Sequence, residues 1–503
     1  MNGRKLFGKR LSFMAPYAVT VCLIFVLYVV ATWMNVQNNE QAVERLIMIT
    51  VIVIVLLAAA LSARYRDKRG EILIAAVLML GMVMRTGYML YTRSFVRAHD
   101  YGTLEPDAAG HANYIISLYQ DGRLPDSNAY QFYHPPLYYI LSALVMHPAG
   151  WLTGADSIRE LMNAAKIVSC AASCGTLLLI WRIAQECRLQ KGTMLFVMSF
   201  AACFPNMFLL AGRVNNDSLS VFFQTLIVLY TIRWYRDRRM KNIAVLAVAF
   251  GCGMMTKMSC AAFALFTGAV FLYVLIQEVK ARRAAPIWKQ FVLFGAVSVP
   301  LGLWYAVRNL IRFGQSFFYV YSVEENTALY VGDYSLFDRF IAVPWNQLFD
   351  PLYARPYDDY NVPMYIFKTS IFGEFSYDVA QVLPAMLLAV NVALIAVSLI
   401  AALYLLLFAK GQPFYRRFGS AFLWAVLFVP YLGFQISAPY GCTMDYRYIV
   451  LTAIIGVMQI GFAGEQLRGE SPRLYRYVRL PVIGLNALFC VLSCLMYLCI
   501  RAV

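Results

Sequence analysis

The sequence contains few charged residues and very few histidines. Hydrophobic residues make up 61% of the 503 positions and charged residues 14%, and all four histidines lie between His99 and His147. Long apolar runs account for the low charge, since a run of about 18 or more apolar residues indicates a membrane-spanning helix. A set of soluble domains is therefore excluded. The histidine-containing stretch just beyond a membrane helix becomes a candidate functional site.

Paired cysteines are also missing. The 11 cysteines form no CxxC pair, and only Cys442 falls in a predicted outer loop. This pattern excludes a cysteine zinc site and an intramolecular disulfide on the outer side. No nucleotide-binding βαβ pattern and no basic, aromatic-interleaved patch is present, so neither a nucleotide-linked substrate nor nucleic acid is an expected partner.

The apolar runs predict an all-α multispanning membrane protein with about 13 transmembrane helices. A further apolar segment, 135–152, starts at Pro135-Pro136 and decides the topology of everything after it. The predicted spans lie near 13–34, 46–63, 72–92, 164–181, 192–212, 217–235, 243–256, 258–276, 291–309, 382–408, 419–437, 447–466 and 479–500.

Basic residues set the predicted orientation, because Lys and Arg gather in cytoplasmic loops. With a cytoplasmic N-terminus, the later basic clusters return to the inner side only if 135–152 does not cross. We therefore expect this segment to lie along or dip into the outer leaflet of a bacterial plasma membrane. The net charge of +16 mostly reflects this bias and indicates contact with the anionic lipid bilayer.

The spans suggest three regions. Residues 1–70 are predicted to form two appended N-terminal helices, residues 71–381 a core, and residues 382–503 the C-terminal helices. The core includes two long outer loops, 93–163 and 310–381. Loops of this length are usually functional, and their Tyr, Phe and Pro content favours packed structure.

Polar residues collect on the predicted outer side. Residues 107–120 read as a short helix that places Asp107, His111 and Tyr114 on one face. The other outer polar candidates come from several separate segments, and their shared side argues for a common site. They are Asp100, Glu105, His134, Asn215, Asn216, Asp217, Lys257, Arg308, Glu374, Asp445 and Arg447.

Several motifs resemble, in order and spacing, the GT-C superfamily of multispanning glycosyltransferases. The nearest branch is that of the protein O-mannosyltransferases and aminoarabinose transferases. The resemblance covers about residues 80–380 and implies a GT-C-like fold. Its motifs are an acidic first outer loop, the 133–139 segment (Tyr-His-Pro-Pro-Leu-Tyr-Tyr), Phe204-Pro205, Arg213 to Asp217, Thr256-Lys257, and Trp304 to Gly314.

The resemblance implies transfer of a sugar, usually with inversion, from a polyprenyl-phosphate donor to an extracytoplasmic acceptor that is a glycan, lipid or protein. A first-loop carboxylate would act as general base. Many relatives carry an adjacent Asp-Glu pair there, whereas this chain has separated acids. Asp100 is narrowly favoured over Asp107 as the catalytic base.

The resemblance also implies roles for other residues. Lys257 and Arg308 would bind the donor phosphate. A divalent cation is a further candidate cofactor, with Asp100 and Asp217 as its candidate ligands. The residues expected to bind substrate are Glu105, His111, His134, Tyr139, Asn216, Asp217, Glu374 and Arg447.

Simpler interpretations stay open. Asp107 could only favour a helix start, Lys257 could be an ordinary hairpin-tip lysine, and Asp445 with Arg447 could be a structural ion pair. Arg308 could merely mark the membrane interface. At the level of function, the alternatives are a transporter or flippase and a non-catalytic binder of lipid-linked sugars. Transporters place charges near the bilayer midplane, where this chain has mainly Arg85.

Overall fold

The computed structural model describes residues 14–35, 40–105, 108–317, 319–320, 325, 327–409 and 411–498. Across these residues the chain is helical, and the β pairing is a single isolated bridge between Tyr330 and Tyr440. The helices are α1 (Met14–Trp33), α2 (Glu40–Arg64), α3 (Arg69–Tyr91), α4 (His111–Asp121), α5 (Leu137–Thr153), α6 (Ile158–Glu186), α7 (Lys191–Cys203), α8 (Pro205–Ala211), α9 (Asp217–Asp237), α10 (Met240–Met254), α11 (Phe263–Lys280), α12 (Ala285–Phe313), α13 (Leu336–Phe340), α14 (Val362–Phe372), α15 (Val382–Leu407), α16 (Ser420–Ser437), α17 (Leu451–Glu470) and α18 (Pro472–Leu498).

Short 3₁₀ turns and one π-helical turn connect these helices. The 3₁₀ segments are Arg66–Lys68, Tyr130–Tyr133, Met258–Ala262, Trp345–Gln347, Gly441–Thr443 and Tyr446–Ile449, and the π-helical segment is Tyr415–Gly419. Several of them immediately precede or follow residues of the candidate site, so they set its geometry.

In the described part of the chain, nine helices are long and apolar enough to cross a membrane, or 11 if each of two bent pairs counts as one span. The bent pairs are α7 with α8, at 48°, and Gly441–Ile449 with α17, at 44°. The all-α multispanning class is confirmed, but the predicted count of 13 is not. The remaining two predicted spans are α10, which has only 15 residues, and α9, which carries Asp217, Gln224 and Arg233 within its apolar run.

Helix α6 lies at the centre of the bundle. It contacts α1, α3, α5, α7, α8 and α9, and 89% of the residues in its most apolar stretch are buried. Small residues such as Ala, Ser and Cys recur along it and let neighbouring helices approach closely. By contrast, only 22% and 17% of the residues in the most apolar stretches of α1 and α2 are buried, so these helices lie at the periphery.

Two buried cations bind helix ends. Arg85 in α3 donates to Gly81 O (2.8 Å), Ala201 O (2.9 Å) and Ala202 O (3.0 Å). It thereby satisfies carbonyls that α7 leaves unpaired where the chain breaks before Pro205. Lys166 in α6 does the same for α3, since its Nζ donates to Met89 O at 2.8 Å and also to Thr92 O. Arg85 is therefore a structural group.

The segment 135–152 forms α5, a 17-residue helix that is not among the candidate spans. It packs against α4 and α6. The predicted short helix of the first loop is α4, which ends at Gly122 in a left-handed conformation with φ of 63°. Asp107, which was expected to begin this helix, lies outside the described residues.

The second outer loop docks onto the segment before α17. Val331 N donates to Pro439 O (2.9 Å) and Gly441 N donates to Leu329 O (2.7 Å). Thr369 in α14 accepts from Tyr446 N (3.0 Å) through its hydroxyl oxygen. These contacts hold the end of α14 beside the segment that carries Asp445 and Arg447.

Candidate functional site

Four charged side chains from distant segments meet at one end of the bundle, and we call them the charge cluster. They are Asp100, in the first outer loop, Asp217, at the first residue of α9, Lys257, between α10 and Met258–Ala262, and Arg447, in the 3₁₀ segment before α17.

Arg447 is the centre of the charge cluster. Its Nε lies 3.8 Å from Asp217 Oδ2, and its Nη2 lies 3.9 Å from Asp100 Oδ2. Lys257 Nζ makes a close ion pair with Asp217 Oδ1. Both cations also lie over the Tyr448 ring, at 4.8 Å for Lys257 and 5.1 Å for Arg447. The arrangement fixes two positive charges beside two carboxylates.

Local sequence explains how Asp217 reaches this position. In the Asn215-Asn216-Asp217 turn, Asp217 N donates to Asn215 Oδ1 (3.3 Å) and Asn216 Nδ2 donates to Thr256 O (3.0 Å). The turn therefore joins the start of α9 to the residue before Lys257. A carboxylate at a helix N-terminus also interacts favourably with the helix dipole.

Asp100 is the most accessible carboxylate of this region. Its side chain is 30% exposed, against 7% for Asp217. Asp100 has a positive φ of 55°, and its carbonyl accepts from His111 N (2.8 Å), which docks the loop onto α4. Its Oδ1 accepts a short hydrogen bond from Tyr130 OH. The position leaves one carboxylate of the region open to a ligand.

A second group lies beside the charge cluster and consists of His99, Glu374 and Asp445. His99 Nδ1 is 3.2 Å from Glu374 Oε2, and His99 Nε2 is 3.5 Å from Asp445 Oδ2. Tyr365 OH donates to Glu374 Oε1 at 2.5 Å. Burial, reinforced by the charge of Asp445, raises the pKa of Glu374 to about 8. Burial and the nearby positive charges of Arg447 hold the pKa of His99 well below its ordinary value.

His111 and His134 lie in an aromatic layer next to the charge cluster. His111 Nδ1 and Tyr139 OH are 2.7 Å apart, and the His111 and His134 rings stack at 5.9 Å. Tyr114 stacks on Tyr139 at 3.9 Å. Burial lowers the pKa of His111 to about 4 and that of His134 well below its ordinary value. Both imidazoles are therefore neutral near pH 7.

The structure does not bring every predicted residue into this region. Arg308 donates to Pro125 O (2.8 Å) and lies over the Tyr305 ring at 5.2 Å, without an acidic partner among the described residues. Glu105 is exposed, and its backbone carbonyl accepts from Asn113 Nδ2. Asp107 is outside the described residues.

The two predicted metal ligands, Asp100 and Asp217, do not belong to a group of three potential ligands in the described residues. Both carboxylates instead face the cations Lys257 and Arg447. Within the described residues, the group of three side chains that could hold a metal ion is His99, Glu374 and Asp445. Their ligand atoms all lie within 4.8 Å of one another.

The sequence analysis assigned no catalytic or binding role to His99, Asp445 or Arg213, although Asp445 was among the outer polar candidates. Arg213 is buried, lies 4.7 Å over the Phe375 ring, and has no hydrogen-bond partner for Nε or Nη2. The sequence does indicate a role for Arg213, because this charged residue lies in the Arg213-Val-Asn-Asn-Asp217 motif at a membrane boundary. Asp445 was read as a structural partner of Arg447, and that pair does exist at 3.7 Å. The contact with His99 could not be read from the sequence.

Comparison with known proteins gives one family match. Residues 134–304 match the family model described as dolichyl-phosphate-mannose-protein mannosyltransferase. None of the curated proteins matches the sequence.

Two solved structures are similar to this chain, each over 78% of its length. One is ArnT from Cupriavidus metallidurans in the apo state, with 15% sequence identity, a TM-score of 0.37 and 76% of that chain covered. The other is ArnT from Cupriavidus metallidurans bound to undecaprenyl phosphate, with 16% identity, a TM-score of 0.34 and 77% of that chain covered. The family match confirms the predicted resemblance over residues 134–304, the segment that carries Asp217 and Lys257. This segment is similar to the protein mannosyltransferase family of glycosyltransferases.

Proposed function

We propose that the protein is a membrane glycosyltransferase that moves a sugar from a polyprenyl-phosphate donor to an extracytoplasmic acceptor. The observation that carries this proposal is the charge cluster, in which side chains from four separate segments converge. A carboxylate open to ligand can accept a proton, and fixed cations can bind a phosphate. The match of residues 134–304 to a family named for a dolichyl-phosphate sugar supports the donor class.

In the proposed reaction, an acceptor hydroxyl attacks the anomeric carbon of the sugar. Asp100 takes the hydroxyl proton as the bond from the anomeric carbon to the phosphate oxygen breaks. The electron pair of that bond leaves with the polyprenyl phosphate, and attack from the opposite face inverts the anomeric centre. The exposure of Asp100 favours it as base over Asp217, which is buried and paired with Lys257. Asp107 stays the second candidate.

The leaving phosphate needs positive charge more than a proton, because a phosphate ester is already an anion. Lys257 and Arg447 are the best-placed groups, and Arg447 replaces Arg308 in this role. Arg308 is turned toward Pro125 and Tyr305. Arg447 can offer a planar, bidentate donor pair, and Lys257 a point charge.

An apolar cavity of about 740 Å³ supports a lipid donor. It lies between α6, α9, α11, α16 and α17, and runs from Phe263 and Leu451 toward Arg236 and Pro413. Phe263 and Leu451 begin the helices that follow Lys257 and Arg447. An apolar cavity of this kind can hold a hydrocarbon chain, and its end at Phe263 and Leu451 places the phosphate of that chain on the side of the charge cluster.

The distribution of charge favours a site on the extracytoplasmic side of a bacterial plasma membrane, with a cytoplasmic N-terminus. Helix α9 begins at Asp217 and ends near Arg236 and Arg238, and α11 follows Lys257 and ends at Lys280. Basic residues thus lie at the helix ends opposite the site, as the positive-inside rule expects. A translocating carrier has less support, since the deep cation Arg85 is fully engaged with backbone carbonyls.

The test is sugar release by the purified full-length protein from a panel of polyprenyl-phosphate sugars, with and without candidate acceptors. Asp100→Asn should lower turnover by at least about 100-fold, the usual contribution of a general base, while donor binding is retained. Asp126→Asn is the matched control, because Asp126 is an acid of the same loop whose side chain is 78% exposed. Its turnover should equal that of the wild type.

One outcome would contradict the proposed enzyme, and a second would contradict only the choice of Asp100 as its base. Wild-type protein that binds a donor but cleaves none, with any acceptor, would point to a carrier or a non-catalytic binder. Full activity of Asp100→Asn together with loss in Asp107→Asn would keep the enzyme and move the base to Asp107.

A further inference from the structure

Two buried polar atoms beside the charge cluster face each other without a hydrogen bond. They are His99 Nε2 and Asp445 Oδ2, and each lacks a hydrogen-bond partner in the described structure. The Asp445 side chain is 0% exposed and that of His99 is 14% exposed. A buried polar atom without a partner is costly, so such atoms require an explanation.

The separation of these two atoms is informative. At 3.5 Å they are farther apart than an ordinary N–H···O hydrogen bond, which is about 2.7–3.2 Å. Two ligands that each lie about 2.1 Å from one tetrahedral ion are about 3.4 Å apart. The observed distance therefore matches two ligand atoms that share one metal ion.

Glu374 completes the arrangement from the other side of the ring. Its Oε2 lies 3.2 Å from His99 Nδ1. A metal-binding imidazole usually gives its second N–H to a carboxylate, which fixes the ring and its tautomer. Glu374 is in turn held by Tyr365 OH, and the His99 ring stacks on Phe375 at 4.8 Å. The imidazole is therefore oriented before any ion binds.

The second oxygen of Asp445 also stays open to an ion. Arg447 Nε is 3.7 Å from Asp445 Oδ2 and makes no hydrogen bond with it. This oxygen therefore keeps free coordination capacity.

We propose that His99 and Asp445 bind a divalent transition-metal ion, Zn²⁺ or Mn²⁺, with Glu374 as a third ligand or as the partner that orients His99. One imidazole with one or two carboxylates is the donor set that these ions accept. The three residues come from the first outer loop, the end of the second outer loop and the segment before α17. The ion ties these three segments together.

The experiment measures metal content and does not depend on sugar transfer. Full-length protein without a polyhistidine tag is stripped with a chelator, dialysed against Zn²⁺, Mn²⁺ or Mg²⁺, and analysed by mass spectrometry of the metal. We expect about one Zn²⁺ or Mn²⁺ per chain and little Mg²⁺. His99→Gln and Asp445→Asn should abolish retention, and Glu374→Gln should weaken it by about 10- to 100-fold. Asp126→Asn is the control and should bind as the wild type does.

Co²⁺ absorption of the wild-type protein provides a second measurement that needs no variant. A tetrahedral or five-coordinate site gives visible bands, and excess Zn²⁺ should remove them. The proposal is overturned if the stripped wild type takes up no ion, or if His99→Gln retains as much metal as the wild type. In either case the three side chains form only a hydrogen-bonded group. Failure of glycosyl transfer alone would leave the metal content, and this proposal, unaffected.

Discussion

The four histidines show how residues of one type, close in sequence, can acquire different environments. His99 lies between two carboxylates, His111 and His134 lie in an aromatic layer, and His147 is exposed. The sequence places all four near one membrane boundary but does not say which partners each will meet. Partners come from α5, the second outer loop and the segment before α17, and those contacts depend on packing.

Burial of His111 predicts that acid weakens the fold. Its pKa falls from 6.5 to about 4 in the folded chain, so the unfolded chain binds more protons between these values. The contribution of His111 to the free energy of unfolding is therefore fully present above about pH 6.5. It decreases as the pH falls toward 4, by on the order of 3 kcal/mol. Melting temperatures measured from pH 7 to 4 should fall, and His111→Gln should flatten the curve.

The exposed His147 is the matched control for that experiment. His147→Gln should leave the pH dependence of the melting temperature as in the wild type. His134 and His99 have the same direction of pKa shift, so a slope should persist in His111→Gln. An unchanged slope in His111→Gln would contradict the assignment of a buried, neutral His111.

The site could be predicted from the sequence in part. Asp100, Asp217 and Lys257 each stand at the end of an apolar run, and the structure brings them together; their roles remain predictions. Arg308 illustrates the limit, because a residue at the end of α12 can point in any direction around the helix. Only packing decides that it faces Pro125 and not the charge cluster.

At the scale of elements, the hydrophobic runs predicted the positions of the helices, but not all of the helix breaks and not the docking of the second outer loop. As far as the structure describes them, the 13 predicted spans are helical, but the breaks before Pro205 and Leu451 divide two of them. Pro205 is visible in the sequence, whereas the second break depends on contacts of Asp445 and Tyr446 with distant segments. The docking of the second outer loop likewise depends on contacts that local sequence does not encode.

Gly441 provides a test of that docking. A Cβ atom at this position would lie 1.9 Å from Pro356 O, which is a backbone atom and cannot rotate away. Gly441→Ala should destabilise the protein by about 1–3 kcal/mol and loosen the second loop. We expect a lower melting temperature and faster chymotryptic cleavage after the exposed Tyr357. Gly433→Ala in α16 meets open space and should change neither.

At the scale of the whole molecule, charge separates the two ends of the bundle. Helix α9 has 21 residues and is about 32 Å long, close to the thickness of a bilayer core. The candidate site lies at its first residue and a basic group at its last turn. Because this polarity is repeated in α11, the two ends of the bundle should face different compartments.

Labelling of introduced cysteines in intact bacterial cells tests this orientation. Asp121 is exposed at the end of α4 and Lys241 is exposed near the start of α10. With a membrane-impermeant thiol reagent, Asp121→Cys should be labelled above the wild-type background and Lys241→Cys should react only after the cells are broken open. The reverse pattern would place the site in the cytoplasm and contradict the proposed topology.

Arg447 also links the mobility of parts that are remote in sequence. Its guanidinium lies 3.7–3.9 Å from three carboxylates and donates its hydrogen bond to Tyr448 OH. Only its backbone N donates to one of the three, Asp445 Oδ1 at 3.0 Å. One guanidinium thus acts as a shared restraint on the first loop, on α9 and on its own segment. We expect an anion that binds Arg447 to draw its side chain away from all three carboxylates at once. Binding of a phosphate would then change the mobility of all three segments together.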